Sequence, residues 1–215
     1  MRIRDKIKKP QRPVVAYEIL PPREKDGTLN AYAETISSLL SQTHIDAINI
    51  PEVHDEVGRG ERPVSNQERG EPRKFGMLLQ DIVGIEAIVN RVVVHMPLKK
   101  QMEWIQETYS QFEIDNLVIV GGESSKQKYP GPTVNESLEK ISQDNRLREN
   151  SILCGGICIP SRRKESKNLI RKSECGAEFF TTQVLCDSDN IIKMIKNYQE
   201  RCDKVNTFPR RILLS

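Results

Sequence analysis

Aromatic residues, excess charge and long hydrophobic runs are all scarce in this sequence of 215 residues. Phe, Trp and Tyr together make up 5 % of it, and the formal net charge is +3. Nucleic-acid binding is therefore not expected, because such surfaces need a basic excess or aromatic side chains interleaved with basic ones. No apolar run approaches the roughly 20 residues of a membrane helix, and the charged residues 1–13 lack the apolar run of a signal peptide. We expect no membrane partner and a cytoplasmic location.

Cysteine patterns that would indicate a metal centre are also missing. Five cysteines are present, but no CxxC pair occurs. Cys154 and Cys158 are four residues apart in a strand-like run, so both would point to the same face. No second His/Cys cluster accompanies them. We therefore interpret them as small buried hydrophobic residues and predict no metal site.

The sequence does contain a regular alternation of short apolar runs and helical segments. The strand candidates are residues 14–20, 46–50, 91–95, 116–120, 151–159, 177–184 and 211–214. The helix candidates are residues 29–40, 75–88, 99–112, 134–142, 164–175 and 188–202. Strands that alternate with helices are typical of right-handed βαβ units around a parallel sheet.

Seven such units suit either a doubly wound sheet or a barrel. The glycine fingerprint of a dinucleotide-binding turn is absent after the first strand, where Pro21, Pro22 and Arg23 stand instead. We therefore predict an α/β fold, a TIM-type (β/α)₈ barrel that is incomplete, with about seven strands. It would be one domain over residues 1–215, with a charged N-terminal extension at 1–13 and a long loop at 52–74 on the active-site face.

The seventh strand candidate ends one residue before the last residue of the sequence. A barrel closes when its last strand pairs with its first, so both would keep an open row of backbone donors and acceptors. We expect association with another chain, as a homo-oligomer or with a partner subunit, and low turnover by the isolated chain.

Polar residues at strand ends are the candidates for chemistry. Glu18 stands among apolar neighbours, where a carboxylate has a raised pKa and can act as a general acid. A barrel-interior Glu paired with a buried cation explains it equally well. Gln183 follows Thr181 and Thr182, and its amide can donate and accept at once, which suits the edge of a heterocycle. Structural hydrogen bonding is the alternative.

Three further features are weaker signals. Glu123 follows Gly121 and Gly122, which would allow a ligand close to the backbone, although a plain turn explains them too. His95 ends a strand candidate, where a lone His is more often structural than catalytic. The basic stretch at 162–172 would suit an anionic cofactor phosphate, or it is a solvated helix face.

Taken together, these motifs resemble those of the methylenetetrahydrofolate reductase family. Residues 17–23 read YEILPPR, similar to the family's Phe-Glu-Phe-Phe-Pro-Pro-Lys/Arg. Residues 120–123 read VGGE, in the place of Leu-Arg-Gly-Asp, and residues 176–183 read GAEFFTTQ, similar to Gly-Ala-Asp-Phe-Ile-Ile-Thr-Gln. The order and spacing of the motifs agree across nearly the whole chain.

The resemblance implies a (β/α)₈ barrel that reduces 5,10-methylenetetrahydrofolate to 5-methyltetrahydrofolate through a flavin. The cofactor would be FAD, with FMN or no bound flavin as alternatives, and NAD(P)H the electron donor. Glu18 would be the general acid, and Gln183 would bind the pterin. The residues implied to lie around the flavin are His95, Gly122, Glu123, Asn168 and Lys172.

The sequence also departs from the family pattern. The family's Asp is Glu123 here, its Arg is Gly121, and its fifth-strand Tyr-Pro-Glu-x-His is replaced by GGICIP at 155–160. Two alternatives to a flavin-dependent reductase therefore stay open. One is a non-catalytic folate- or flavin-binding barrel that serves a partner. The other is a reductase that takes hydride directly from a nicotinamide or a deazaflavin.

Overall fold

Seven parallel β-strands form one sheet that curls into a half-barrel, with helices on its outer side. The computed structural model describes residues 1–53, 69–122, 127–184 and 187–215. The strands pair in chain order and are β1 (Ala16–Glu18), β2 (Ala47–Ile50), β3 (Ala87–Val92), β4 (Asn116–Val120), β5 (Leu153–Cys158), β6 (Phe179–Thr182) and β7 (Arg211–Leu213). The helices are α1 (Ile3–Lys8), α2 (Leu29–Leu40), α3 (Pro72–Val83), α4 (Leu98–Phe112), α5 (Val134–Gln143), α6 (Asn145–Glu149), α7 (Glu165–Glu174) and α8 (Ser188–Lys204). In the described residues the predicted α/β fold with seven strands is confirmed, and β1 and β7 are the sheet edges.

Side chains of the strands alternate between an inner and an outer apolar layer. On β2, Ala47 belongs to the inner cluster, whereas Ile48 and Ile50 pack in the outer cluster beneath the helices. Because both faces are covered, the strands read as continuous apolar runs. Phe179 is the largest side chain of the inner cluster, and a Cβ added to Gly155 would lie 2.5 Å from its ring. Glycine in β5 therefore makes room for Phe179.

Helix α1 closes the amino-terminal end of the half-barrel. Its Ile3 and Ile7 are 0 % and 2 % exposed and belong to the inner apolar cluster. The other side of the helix is held by ion pairs to carboxylates that stand just before strands, namely Arg2 to Glu86 and Asp115, Arg4 and Lys8 to Glu178, and Lys6 to Asp46. Sequence reasoning treated residues 1–13 as a charged extension, because two buried isoleucines make no visible apolar pattern.

Asp46 is the most heavily used of these carboxylates. Its oxygens lie 3.0 Å from Lys6 Nζ and 2.7 Å from Arg12 Nη2, and accept a 2.9 Å hydrogen bond from Val15 N. Burial by itself raises the pKa of Asp46, but the Val15 N–H and the two cations outweigh burial and hold the pKa below its usual 3.8. This stabilisation is therefore present above pH 3.8 and is lost as the pH falls through the lower folded-state pKa.

The element boundaries differ from the sequence prediction at several places. The third strand is Ala87–Val92, four residues earlier than predicted, and Val93–His95 forms a 3₁₀ turn instead. Helix α3 covers Pro72–Val83 rather than 75–88, because Glu71 caps its start and Gly84, with φ 70°, ends it. Most of the predicted loop 52–74 lies outside the described residues.

We predict that the inner face of α1 is required for stability. Ile7→Ala should lower the free energy of unfolding by about 2–5 kcal/mol, because the truncation leaves a cavity at the base of the inner cluster. The measurement is urea denaturation followed by circular dichroism. Lys9→Ala, at an exposed position just after the helix, is the matched control and should stay within about 0.5 kcal/mol of the parent. Equal losses in both variants would contradict a packing role for α1.

Candidate functional site

The carboxyl ends of the central strands open into a cleft of about 460 Å³. It is bounded by the ends of β2 to β6, the start of α5 and one side of α7. A volume of this size lies in the range of small-molecule sites. The cleft brings together four of the predicted site residues, namely Gly122, Asn168, Lys172 and Gln183. We call it the mouth cleft.

Two amides give the mouth cleft its capacity for hydrogen bonding. Asn90 lies on β3 and is 7 % exposed, and its Oδ1 has no hydrogen-bond partner among the described residues. An unpaired buried acceptor costs about 1–3 kcal/mol, so a ligand N–H would be well placed there. Gln183 follows β6 on the rim of the same cleft, and its side chain is exposed. Its amide is therefore accessible to a ligand.

A buried carboxylate on helix α7 positions charged and polar side chains of the mouth cleft. Glu165 is 2 % exposed and accepts hydrogen bonds from Ile159 N at 3.1 Å and Asn168 Nδ2 at 3.0 Å. It also lies 3.5 Å from Lys172 Nζ and 3.5 Å from Arg162 Nη1. Glu165 thus contacts four residues that line the cleft.

Lys172 is itself largely buried and donates a hydrogen bond to the Ile157 carbonyl. Burial lowers the pKa of Lys172, and the nearby Glu165 acts in the opposite direction. The Ile157 carbonyl and Glu165 therefore hold the Lys172 side-chain nitrogen at the wall of the cleft. Arg162 and Arg171 line the same cleft from exposed positions, so this side of the site favours an anionic ligand.

Tyr129 fills the space beside Gly122, where the sequence predicted room for a ligand. A Cβ added to Gly122 would lie 2.1 Å from Tyr129 Cζ, so the glycine is needed for the close approach of this ring. The His95 ring packs edge-on against the Tyr129 ring, at a centroid distance of 5.7 Å. Glu123, the next predicted residue, lies outside the described residues.

Glu18 stands apart from the mouth cleft. Its side chain is exposed on the edge strand β1, rather than enclosed among apolar neighbours as the sequence suggested. The carboxylate accepts a 2.8 Å hydrogen bond from Asn49 Nδ2. Glu18 and Asn49 line a different, small cavity of about 70 Å³ between β1 and β7, together with Thr181.

Sequence reasoning missed several residues of the site. Asn49 is the single polar residue of β2, and Asn90 is next to Arg91 in the otherwise apolar β3, a signal that was available in the sequence. Asn90 was overlooked because the third strand was predicted to begin one residue after it. The burial of Glu165 could not be predicted from the sequence, because the residue stands in a basic segment with the composition of an exposed helix face.

The described residues contain no group of three or more His, Cys, Asp or Glu side chains arranged to hold a metal ion. Cys154 and Cys158 are buried, as predicted, and burial raises the pKa of each thiol to about 12. Neither is therefore a reactive thiolate at neutral pH. None of the helices in the described ranges combines the length and apolar character needed to cross a membrane.

A flavin fits this site poorly at the position that the resemblance implies. A ring placed beside Gly122 and His95 would collide with Tyr129. The remaining mouth cleft has an Asn90 Oδ1 with no partner among the described residues, an accessible amide at Gln183 and a basic wall. It suits one compact heterocycle that carries negative charge.

The fold and the cleft together define a parallel β/α half-barrel with an open cleft at the carboxyl ends of its strands. Among solved structures, the chain is similar to a protein from Clostridium thermocellum described as binding two copies of 5-methyl-5,6,7,8-tetrahydrofolic acid. The TM-score is 0.74 at 18 % identity, over 99 % of this chain and 68 % of that one. It is also similar to 2,3-dimethylmalate lyase, with a TM-score of 0.59 at 11 % identity over 99 % and 78 % of the two chains. The values for oxaloacetate acetylhydrolase are 0.59 and 9 %, over 100 % and 79 %.

At these identities the likenesses establish the barrel fold alone. No family model matches the sequence, and no curated protein does. The particular ligand must therefore be argued from the site.

We predict that Lys172 stabilises the fold through Glu165. Lys172→Ala should lower the free energy of unfolding by about 1–3 kcal/mol, because it leaves the buried carboxylate with one partner fewer. The measurement is urea denaturation at neutral pH. Lys167→Ala, on the exposed side of the same helix, is the control and should have little effect. If the two variants are equally stable, the contact between Lys172 and Glu165 is not a stabilising one.

Proposed function

We propose that this protein binds a reduced folate of the 5-methyltetrahydrofolate type in the mouth cleft. The observation that carries the proposal is the convergence of Asn90, Gln183 and a basic wall in one cleft of about 460 Å³. The sequence motifs that resemble a folate enzyme family support it, as does the folate-binding neighbour, which covers 99 % of this chain.

The cleft offers a partner for each part of a folate. The pterin edge carries N–H donors and ring acceptors, which match the unpaired Oδ1 of Asn90 and the amide of Gln183. Ile157 and Ile159 provide apolar surface for the ring. Arg162 and Arg171 are exposed on the same cleft and can pair with the glutamate carboxylates at the other end of the ligand.

We predict that Gln183 contributes to folate affinity. Gln183→Ala should weaken the binding of 5-methyltetrahydrofolate by about 1–3 kcal/mol, because polar groups of the bound pterin would lose their partner. Isothermal titration calorimetry with the full chain measures it directly.

The matched control is Gln42→Ala, an exposed glutamine just after α2 and outside the cleft, which should leave the affinity unchanged. An unaltered affinity in Gln183→Ala would return Gln183 to a structural role. A parent protein that binds no 5-methyltetrahydrofolate would refute the proposed function itself.

The second candidate is a methylenetetrahydrofolate reductase-like oxidoreductase that reduces 5,10-methylenetetrahydrofolate to 5-methyltetrahydrofolate with NAD(P)H as electron donor. The observation in its favour is the Glu18–Asn49 pair, with a 2.8 Å hydrogen bond, where the resemblance implies the acid. Glu18 would donate a proton to the folate nitrogen as the one-carbon bridge opens to an electrophilic iminium. Asn49 would hold the carboxyl group in place for this step.

We predict that Glu18→Gln abolishes most of any reductase activity while the fold is kept, because the side chains are nearly isosteric. The rate of methylenetetrahydrofolate reduction should fall by a factor of roughly 10²–10⁴, the usual size of general acid catalysis. Folate affinity should change little. Glu34→Gln, an exposed carboxylate on α2, is the control.

Undiminished turnover in Glu18→Gln would remove Glu18 from the mechanism. No turnover by the parent protein, with or without added FAD, would instead leave the non-catalytic folate-binding barrel. The visible absorption spectrum of the protein after incubation with FAD and desalting tests flavin binding independently of activity.

A further inference from the structure

A largely buried carboxylate lies where β2 and β3 reach the mouth cleft. Glu52 follows the end of β2 by two residues, and its side chain is only 11 % exposed. One of its oxygens accepts a hydrogen bond from Arg91 Nη1, and the other accepts one from Val92 N at 2.7 Å. Glu52 lines the mouth cleft together with Asn90. This side of the cleft therefore presents hydrogen-bond acceptors.

Arg91 holds the Glu52 carboxylate in place. It is 4 % exposed, and its Nε donates a 2.8 Å hydrogen bond to Gln101 Oε1. Gln101 is fully buried and in turn donates a 2.8 Å hydrogen bond to the Val93 carbonyl. The Arg91 guanidinium also lies over the Trp104 ring, 4.3 Å from its centroid. Because these contacts fix the guanidinium, the carboxylate is positioned before any ligand binds, which reduces the cost of ordering it.

Asn90 supplies the second acceptor from the inner face of β3. It is two residues from Ile88, which belongs to the inner cluster, so the two side chains share that face. Its Oδ1 has no hydrogen-bond partner among the described residues. A charged acceptor at the end of β2 and a neutral acceptor on β3 therefore belong to neighbouring strands.

The cations of the mouth cleft come from its other side. Arg162 precedes α7, and Arg171 and Lys172 lie on α7, the helix that follows β5. In the sheet, β4 separates β3 from β5. A ligand with N–H donors at one end and carboxylates at the other is therefore favoured in one orientation, with its donors towards β2 and β3.

We propose that Glu52, together with Asn90, binds the 2-amino group and N3–H of the pterin ring and so selects ligands with an aminopyrimidinone edge. This inference rests on the proposed folate-binding function. The two N–H donors of this edge are adjacent and match two acceptors on neighbouring strands. A carboxylate can accept about four hydrogen bonds, so Glu52 can bind the ligand while it keeps Arg91 and Val92 N as partners. Hydrogen bonds to a charged acceptor are also stronger than those to a neutral one.

The test compares 5-methyltetrahydrofolate with its 2-desamino-2-methyl analogue, in which a methyl group replaces the amino group, by isothermal titration calorimetry. The parent protein should bind 5-methyltetrahydrofolate about 10–100-fold more tightly, because the analogue lacks a donor for the carboxylate. In Glu52→Gln this preference should fall to about threefold or less, the size expected for a neutral acceptor. Glu86→Gln is the matched control, because Glu86 also pairs with an arginine, Arg2, and with a backbone N–H, that of Ile3, but does not line the mouth cleft. It should keep the full preference.

Equal affinity of the parent protein for the two ligands would overturn the inference and leave the proposed function intact, whereas failure of 5-methyltetrahydrofolate to bind would overturn both. Equal weakening of both ligands by Glu52→Gln would also overturn the inference, because Glu52 would then act only by holding Arg91 and β3 in place. If urea denaturation shows that Glu52→Gln is unfolded, Glu52→Asp takes its place, since it keeps the negative charge beside Arg91. Its shorter side chain withdraws the carboxylate from the ligand, so the preference should again fall, and an undiminished preference would overturn the inference.

Discussion

The filling of the inner face of the sheet is the constraint on which the rest of this structure depends. The inner cluster of the curled sheet has Phe179 as its largest side chain and includes Ile3 and Ile7 of α1. The ion pairs from α1 to the carboxylates before the strands hold this helix in place. Because the amino-terminal end is packed and closed, the opposite end of the barrel is where a ligand can enter.

The carboxyl ends of the strands are organised by a second buried interaction, the one between Glu165 and its partners on α7 and in the segment that follows β5. A buried carboxylate is costly unless it is paired and hydrogen-bonded, and Glu165 has both kinds of partner. The same contacts that satisfy it also place Asn168, Lys172 and Arg162 around the mouth cleft. The stability of this region and the shape of the mouth cleft therefore depend on the same few side chains.

Only some of the residues predicted from the sequence motifs line the mouth cleft. Four of the residues that the resemblance singled out, Gly122, Asn168, Lys172 and Gln183, line one cleft. The position implied for a flavin is filled by Tyr129, and Glu18 lies in another cavity. A folate-binding barrel is compatible with both facts. A flavin-dependent reductase would require Tyr129 to move away from Gly122 when the cofactor binds.

The sequence by itself determined the α/β class, the parallel order of the strands and which strand ends carry polar residues, because these follow from local periodicity and chain order. The burial of Glu165 and the packing of α1 were decided by tertiary structure alone. The ion pairs of α1 join residues far apart in the chain, and Glu165 lies on α7, which packs against β5 and α8. Tyr129 illustrates the reason most directly. Nothing in its own neighbourhood shows that its ring will pack on Gly122 and His95, and only the folded barrel brings these residues into contact.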